Sequence, residues 1–321
     1  MNRRLIIGIQ IFVTAILLRL LFRSFDWPSF VAVLRHLSVG MYLGSLLVVA
    51  VGQVLYALRW RVVLVAMRIT IPLAEVLRQY AIGIFFSNLM PTAIGGDATK
   101  VYYLGHAAGY LEVGASVVVD RTLGFLWLAV FGSALAWTAG APTSLFVLNR
   151  TLLTAFAVTF VVLLALAGMA PLDRLRSPSG RIAYAWEERV RGFVRCFQLG
   201  ARRPVTFGAS ALVLIVYIGL LTFVYQRFFR AAGVEPPPAL QVAGVLASMG
   251  IFVNVPVSVN GIGLREQLHY LMFAALGVSK EVAVSISLLM FSHALLLSLI
   301  GYAAWLRVHR ATASWSPSSV A

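Results

Sequence analysis

The chain has 321 residues, of which 60% are apolar and 12% charged, and its mean hydropathy is +0.90. A soluble globular chain is about 45–50% apolar and about 25% charged, so a water-soluble enzyme, a nucleic-acid-binding domain and a disordered chain are excluded in favour of a polytopic membrane protein. The net charge of +15, from 26 Lys and Arg against 11 Asp and Glu, does not mark a nucleic-acid partner. The basic residues punctuate apolar runs, where they report orientation and contact with anionic headgroups. The single cysteine, Cys196, excludes an internal disulfide framework and any paired-cysteine metal knuckle.

A helix needs about 20 apolar residues to cross the hydrocarbon. Leu5–Phe22, behind Asn2, Arg3 and Arg4, is the first such run. It lacks a small-residue cleavage site and Arg19 interrupts its end, so it reads as a retained anchor and not as a signal peptide. Gly40–Leu58 is the second span. Residues 73–110 are also apolar, but Asn88, Pro91, Gly95 and Gly96 break them, which predicts two short helices, from Pro72 to Met90 and from Asp97 to Gly109. Spans follow at about 112–138 and 151–170. In 181–200, Ile182, Trp186, Val190, Phe193 and Phe197 recur at helical spacing opposite Glu187, Arg189, Arg191 and Arg195. That pattern predicts an amphipathic helix at the cytoplasmic interface, within a linker over 171–203. After a span at about 206–229, residues 239–277 form a second broken stretch containing Asn254, Pro256, Ser258, Gly261, Gly263, Arg265 and Glu266. A last span covers about 281–306, and the Ser-rich segment 311–321 reads as a disordered tail.

The expected fold is therefore all-α: one integral membrane domain over 1–321, with about six full spans and two broken segments. The short half-helices favour re-entrant hairpins over broken crossings. Non-helical backbone at membrane depth is tolerated only where protein or a water-filled cavity satisfies it. With hairpins, one side of the membrane collects 15 arginines (Arg3, Arg4, 59–72, 171–203 and the C-terminal tail) and the other collects 6 basic residues. Positive loops stay in the cytoplasm, so both termini are expected there, in a cell inner (plasma) membrane.

Three spans separate the broken segments, an odd number, which puts the hairpins on opposite faces. The halves 1–170 and 204–310 then form an inverted repeat of the kind found in transporters, with a site near the midplane. Charge inside hydrocarbon is costly and marks a pathway or a pair. Arg19, Arg78, Lys100, Arg121 and Arg265 lie at that depth with Glu75, Asp97, Asp120 and Glu266. Neighbouring positions suggest the pairs Asp97 with Lys100, Asp120 with Arg121, and Arg265 with Glu266. Each second half-helix is predicted to begin just after its glycines, with Lys100 or Arg265 in its first turn. Free N–H groups, the positive dipole end and a full cation would then meet a phosphate within the membrane. Asp97 and Glu266 are open to two readings, as neutralising partners or as proton or cation sites. The candidate substrate-binding residues are Asn88, Gly95, Gly96, Asp97, Lys100, Asp120, Arg121, Asn254, Ser258, Gly261, Gly263, Arg265 and Glu266.

Three stretches together resemble the flippase-like membrane region of the lysylphosphatidylglycerol synthase family: Asn88-Leu89-Met90-Pro91 through Gly95-Gly96-Asp97-Ala98-Thr99-Lys100-Val101-Tyr102, Asp120-Arg121-Thr122-Leu123-Gly124, and Pro256-Val257-Ser258 through Gly261-Ile262-Gly263-Leu264-Arg265-Glu266. The resemblance implies movement of a charged-headgroup lipid between leaflets, with roles for Asp97, Lys100, Asp120, Arg121, Arg265 and Glu266. The bifunctional synthases carry an aminoacyl-transferase domain after this region. Here the chain stops at Ala321, about 15 residues past the last span, so a stand-alone member without lysyl transfer is expected. The leading reading is a flippase or scramblase-like transporter of an anionic or charged-headgroup lipid, with phosphate-bearing membrane lipids as partners. A membrane-embedded transferase acting on a phospholipid or polyprenyl phosphate, with Asp97 or Glu266 as base, is the alternative. The third is a non-transporting partner of a lipid-modifying enzyme, and a homo-oligomer is compatible with each. No cofactor or metal is expected: His36, His106, His269, His293 and His309 lack paired-ligand spacing, and packing roles suit them better, although His269 and His293 are placed to approach one another.

Overall fold

The computed structural model describes residues 3–23, 25–90, 94–138, 151, 153–155, 157–158, 203–254 and 258–313. The linker helix over 181–200, most of the span over 151–170 and the tail beyond 313 lie outside the described residues. Within them the protein is all-helical: α1 Arg3–Phe22, α2 Trp27–Arg35, α3 Val39–Ala66, α4 Leu73–Leu89, α5 Ile94–Ala108, α6 Tyr110–Thr138, α7 Pro204–Ala231, α8 Ala239–Phe252, a 3-10 turn Val259–Gly261, α9 Leu264–Ala274 and α10 Lys280–Ala313.

Four of these, α3, α6, α7 and α10, are long and apolar enough to cross a bilayer. Their boundaries follow local chemistry. Ser38 caps α3 by accepting the Met41 N–H at 3.2 Å, and Pro204 occupies the first turn of α7, where its missing N–H costs nothing. Met90, held extended at ψ 151° ahead of Pro91, ends α4. α2, which the apolar runs do not announce, is started by Asp26, whose carboxylate accepts the Ser29 N–H, with Pro28 in the first turn. α10 continues to Ala313, well past the predicted end at 306 and into the segment read as tail.

The four intervening helices α4, α5, α8 and α9 have 17, 15, 14 and 11 residues. At about 1.5 Å per residue the longest reaches only about 25 Å, short of the roughly 30 Å hydrocarbon core. Each broken segment packs by exchange: α4 lies along α10, the long helix following the other segment, and α8 lies along α6 in the same way. The larger buried clusters follow the halves. One joins Trp60, Leu64, Val76, Leu104, Val113 and Leu123 from α3 to α6. The other surrounds Phe228, Phe229 and Phe273 with Val242, Met249 and Ile286 from α7 to α10. Burying those apolar side chains against protein removes α6 and α10 from the bundle surface more than α3 and α7.

Candidate functional site

α3 carries Gln53, Tyr56 and Trp60 at i, i+3 and i+7, with Arg59 beside them on the same inward side. α6 presents Asp120, Arg121, Gly124, Phe125 and Leu128 at similar spacing. With Tyr80 of α4, Lys100 of α5, Tyr217 of α7, Gly250 of α8 and Asn254 just beyond it, these residues other than Trp60 line a cavity of 300 Å³, and Trp60 is buried against the Lys100 ammonium.

The cavity's charges are paired across helices. Arg59 grips Asp120 in a fork, Nε to Oδ1 at 2.8 Å and Nη2 to Oδ2 at 2.7 Å, and Nη2 also donates to the Asp120 carbonyl at 3.3 Å. Both side chains are nearly enclosed, 7% and 9% exposed, so the bidentate geometry has to offset their desolvation. Gly124, one turn from Asp120, makes room: a Cβ there would sit 3.1 Å from an Arg59 terminal nitrogen. Asp97, in the first turn of α5, accepts from Lys100 Nζ at 3.0 Å and from Arg121 Nε at 2.7 Å. The Lys100 ammonium also lies over the rings of Tyr80, at 4.3 Å, and Trp60, at 5.1 Å, where ring quadrupoles favour a cation.

Among the described residues three cations therefore face two carboxylates, Asp97 and Asp120, leaving one positive charge in excess. The excess is localised. Arg59 has Asp120 to itself, whereas Lys100 and Arg121 share Asp97. Arg121 is also the most open of the three, 39% exposed, and donates to Asp97 through Nε, with neither terminal nitrogen bonded to a carboxylate among the described residues. The arrangement suits a singly charged anion arriving at Arg121 and Lys100.

The other predicted residues form a second cluster. Gly263, at φ 80°, precedes α9, and its N–H donates to Glu266 Oε2 at 2.7 Å, so Glu266 caps the helix. Arg265 donates to Glu266 Oε1 from Nε at 3.0 Å and Nη2 at 2.6 Å, and its guanidinium lies 4.1 Å from the centre of the Phe291 ring. Ser258 is buried beside the turn that holds Gly261. His269 Nδ1 donates to the Arg265 carbonyl at 2.8 Å and Nε2 meets the Tyr225 hydroxyl at 2.7 Å, while His293 meets Ser45, so these two histidines serve separate packings. Asn88 at the end of α4 meets Asn260 in the 3-10 turn: Asn260 Nδ2 donates to the Asn88 carbonyl at 3.3 Å, and Asn88 Nδ2 to the Ala294 carbonyl at 3.3 Å. Gly95 packs on Met90, and Gly96 lies against the Gly83 backbone.

Several expectations are corrected. Asp120 pairs with Arg59 and not with Arg121, because α3 runs on through Arg59 and turns it inward; Arg121 pairs with Asp97. α5 starts at Ile94, so Gly95 and Gly96 fall inside its first turn and Lys100 in its second. Arg265 holds its place in the first turn of α9 but does not line the cavity with Lys100. The sequence reading missed Arg59, Gln53, Tyr56, Tyr80 and Tyr217. A polar stripe at i, i+3 and i+6 through Gln53, Tyr56 and Arg59 was the available signal.

Fold and site define a polytopic helical membrane protein with an internal cavity lined by paired charges. The sequence model of the family described as "Lysylphosphatidylglycerol synthase TM region" matches residues 5–301, and the chain belongs to that family. It is similar to a UPF0104 membrane protein of Pyrococcus horikoshii, 26% identical over 282 residues that cover 81% of this chain and 84% of the relative. It is also similar to a UPF0104 membrane protein of Methanothermobacter thermautotrophicus, 24% identical over 263 residues, 74% of each chain. No solved structure matches the chain.

Proposed function

We propose that the protein carries a lipid with an anionic, phosphate-bearing headgroup between the leaflets of the cell membrane. The observation behind this reading is a junction of polar and apolar space. Beside the charged cavity lies an apolar groove of 240 Å³ between α3, α4 and α10, lined by Val54, Leu77, Ile84 and Ile300 among others, and Gln53 and Tyr80 line both spaces. Ile300 is 61% exposed and Val54 46%, so the groove opens on the surface that faces lipid in a bilayer-crossing helix. A headgroup phosphate at Arg121 and Lys100 is thus within reach of a tail laid past Tyr80. A free anion has no use for the second compartment.

Transport then requires the phosphate to be held by enough charge to leave water and by little enough to leave the protein. One unmatched positive charge, shared by Lys100 and Arg121, suits that balance; a fully unpaired triad would trap the lipid. The exchanged packing of α4 on α10 and α8 on α6 supports two inversely inserted halves rocking about the cavity. A transferase needs a free base, whereas Asp97 accepts from two cations and Glu266 from Arg265 and the Gly263 N–H, which favours carriage over chemistry. The arginine-rich end and both termini are assigned to the cytoplasm on charge alone.

Proteoliposomes containing headgroup-labelled phosphatidylglycerol test the reading through the fraction of label reached by an impermeant quencher. The protein should expose inner-leaflet label far faster than protein-free liposomes, and Lys100→Ala or Arg121→Ala should slow it by about tenfold or more, the equivalent of about 1.4 kcal/mol or more. Equal rates with and without protein, or headgroup turnover without exchange, would sink it.

A further inference from the structure

A second groove, of 540 Å³, lies at the end of the bundle where α3 finishes and α7 begins. It is lined by Arg61, Arg68 and Arg203 over an apolar bed that includes Val62, Val65 and Val205. None of these arginines forms an ion pair among the described residues, and Arg61 Nε is buried with no hydrogen-bond partner. α7 starts here with no side-chain cap on its first turn, so its positive dipole end adds to the same field. Val65 and Val205 are 59% and 68% exposed, on a surface that belongs against acyl chains.

Arg68 makes the groove more than a coincidence of loops. It adopts φ 63° in the left-handed turn that closes α3, with its own N–H on the Val65 carbonyl at 2.9 Å and the Ile69 N–H on the Leu64 carbonyl at 2.9 Å. Glycine is the ordinary residue at that position, because a side chain there strains the backbone. A cation kept at a strained site, beside two further cations with no ion pair among the described residues, points to a ligand that uses it.

We propose that this groove binds an anionic glycerophospholipid of the adjoining leaflet, with its phosphate among Arg61, Arg68 and Arg203 and its acyl chains along Val65 and Val205. Guanidinium forks match phosphate oxygens in pairs, and basic pockets between membrane helices take anionic headgroups in this way. The apolar bed distinguishes a lipid from a free phosphate, and three cations without a carboxylate partner among the described residues distinguish an anionic lipid from a zwitterionic one. The site is separate from the transport cavity and does not depend on what that cavity carries.

The test is the melting temperature of the full-length protein, delipidated in neutral detergent, with added phosphatidylglycerol, phosphatidylcholine or soluble glycerol 3-phosphate. Phosphatidylglycerol should raise it by about 3 °C or more beyond the other two, as a ligand that binds only the folded state does. Arg68→Gly suits the left-handed turn; it should melt at or above the parent without lipid yet lose at least half of the phosphatidylglycerol-specific shift. Arg61→Gln should lose it likewise, and decides alone if Arg68→Gly melts below the parent. Anionic lipid in the charged cavity contributes equally to parent and variants, so the difference belongs to the groove. Equal stabilisation by phosphatidylcholine or by glycerol 3-phosphate, or retention of more than half the shift in the deciding variant, would overturn the proposal.

Discussion

Arg59 and Asp120 are bound in a fork at 2.7 and 2.8 Å and almost shut off from solvent. Removing one partner leaves a buried charge uncompensated, which costs about 3–5 kcal/mol, whereas replacing both with apolar residues of similar volume is often neutral or better. Asp120→Asn should therefore lower the unfolding midpoint in detergent steeply. Arg59→Met combined with Asp120→Leu should recover most of that loss while leaflet exchange stays depressed. If the double variant restored exchange as well, the pair would be scaffolding alone. This pair also marks the limit of what the sequence disclosed. Lys100 with Asp97 and Arg265 with Glu266 were legible because the partners are three residues and one residue apart. Arg59 and Asp120 are 61 residues apart, and their meeting depends on the register of α3 against α6, which no periodicity within either helix supplies. Reading the apolar span as ending at Leu58 hid Arg59 one residue beyond it.

At the scale of elements, the glycines act mainly through close packing. Gly83 of α4 and Gly96 of α5 face each other so tightly that a Cβ on Gly96 would lie 2.1 Å from the Gly83 carbonyl oxygen. That contact holds Lys100 beside Tyr80, since a Cβ on Gly83 would in turn meet Lys100 Cε at 3.1 Å. Gly96→Ala must part the two helices. It should destabilise by about 1–3 kcal/mol, as overpacking does, and weaken exchange as Lys100 loses its place. Gly219→Ala, in the interior of α7 with nothing within 4 Å of its added carbon, should leave stability unchanged or raise it by about 0.5–1 kcal/mol. Comparable losses in both variants would remove the packing argument. The same role explains why the start of α5 was misread: the glycine pair looked like a hinge, but it lies inside the helix. The long helices were legible because an unbroken run of about 20 apolar residues matches the thickness of the hydrocarbon and suits little else. The nine-residue α2 was not, although Asp26, Pro28 and Ser29 carried its start signal.

At the scale of the whole molecule, the two halves have their own apolar cores and meet through exchanged helices, so the question is where they hinge. The two broken segments touch through Asn260 Nδ2 and the Asn88 carbonyl, and neither residue lines the charged cavity. If alternating access comes from rocking of the halves, this contact separates and re-forms in every cycle. Cys196 is the only cysteine, so a Cys196→Ser background carrying Asn88→Cys and Asn260→Cys can be bridged at a single place by a short reducible thiol linker. The bridged protein should exchange labelled lipid at least about tenfold more slowly, a barrier rise of about 1.4 kcal/mol or more, and reduction should restore the rate. Labelling each thiol singly controls for added bulk. Unchanged exchange in the bridged protein would mean that this contact stays joined while lipid passes. The headgroup would then slide from Arg121 along a fixed path past Gln53 and Tyr80, with its tail in the apolar groove throughout, and the halves would be a static frame for that path.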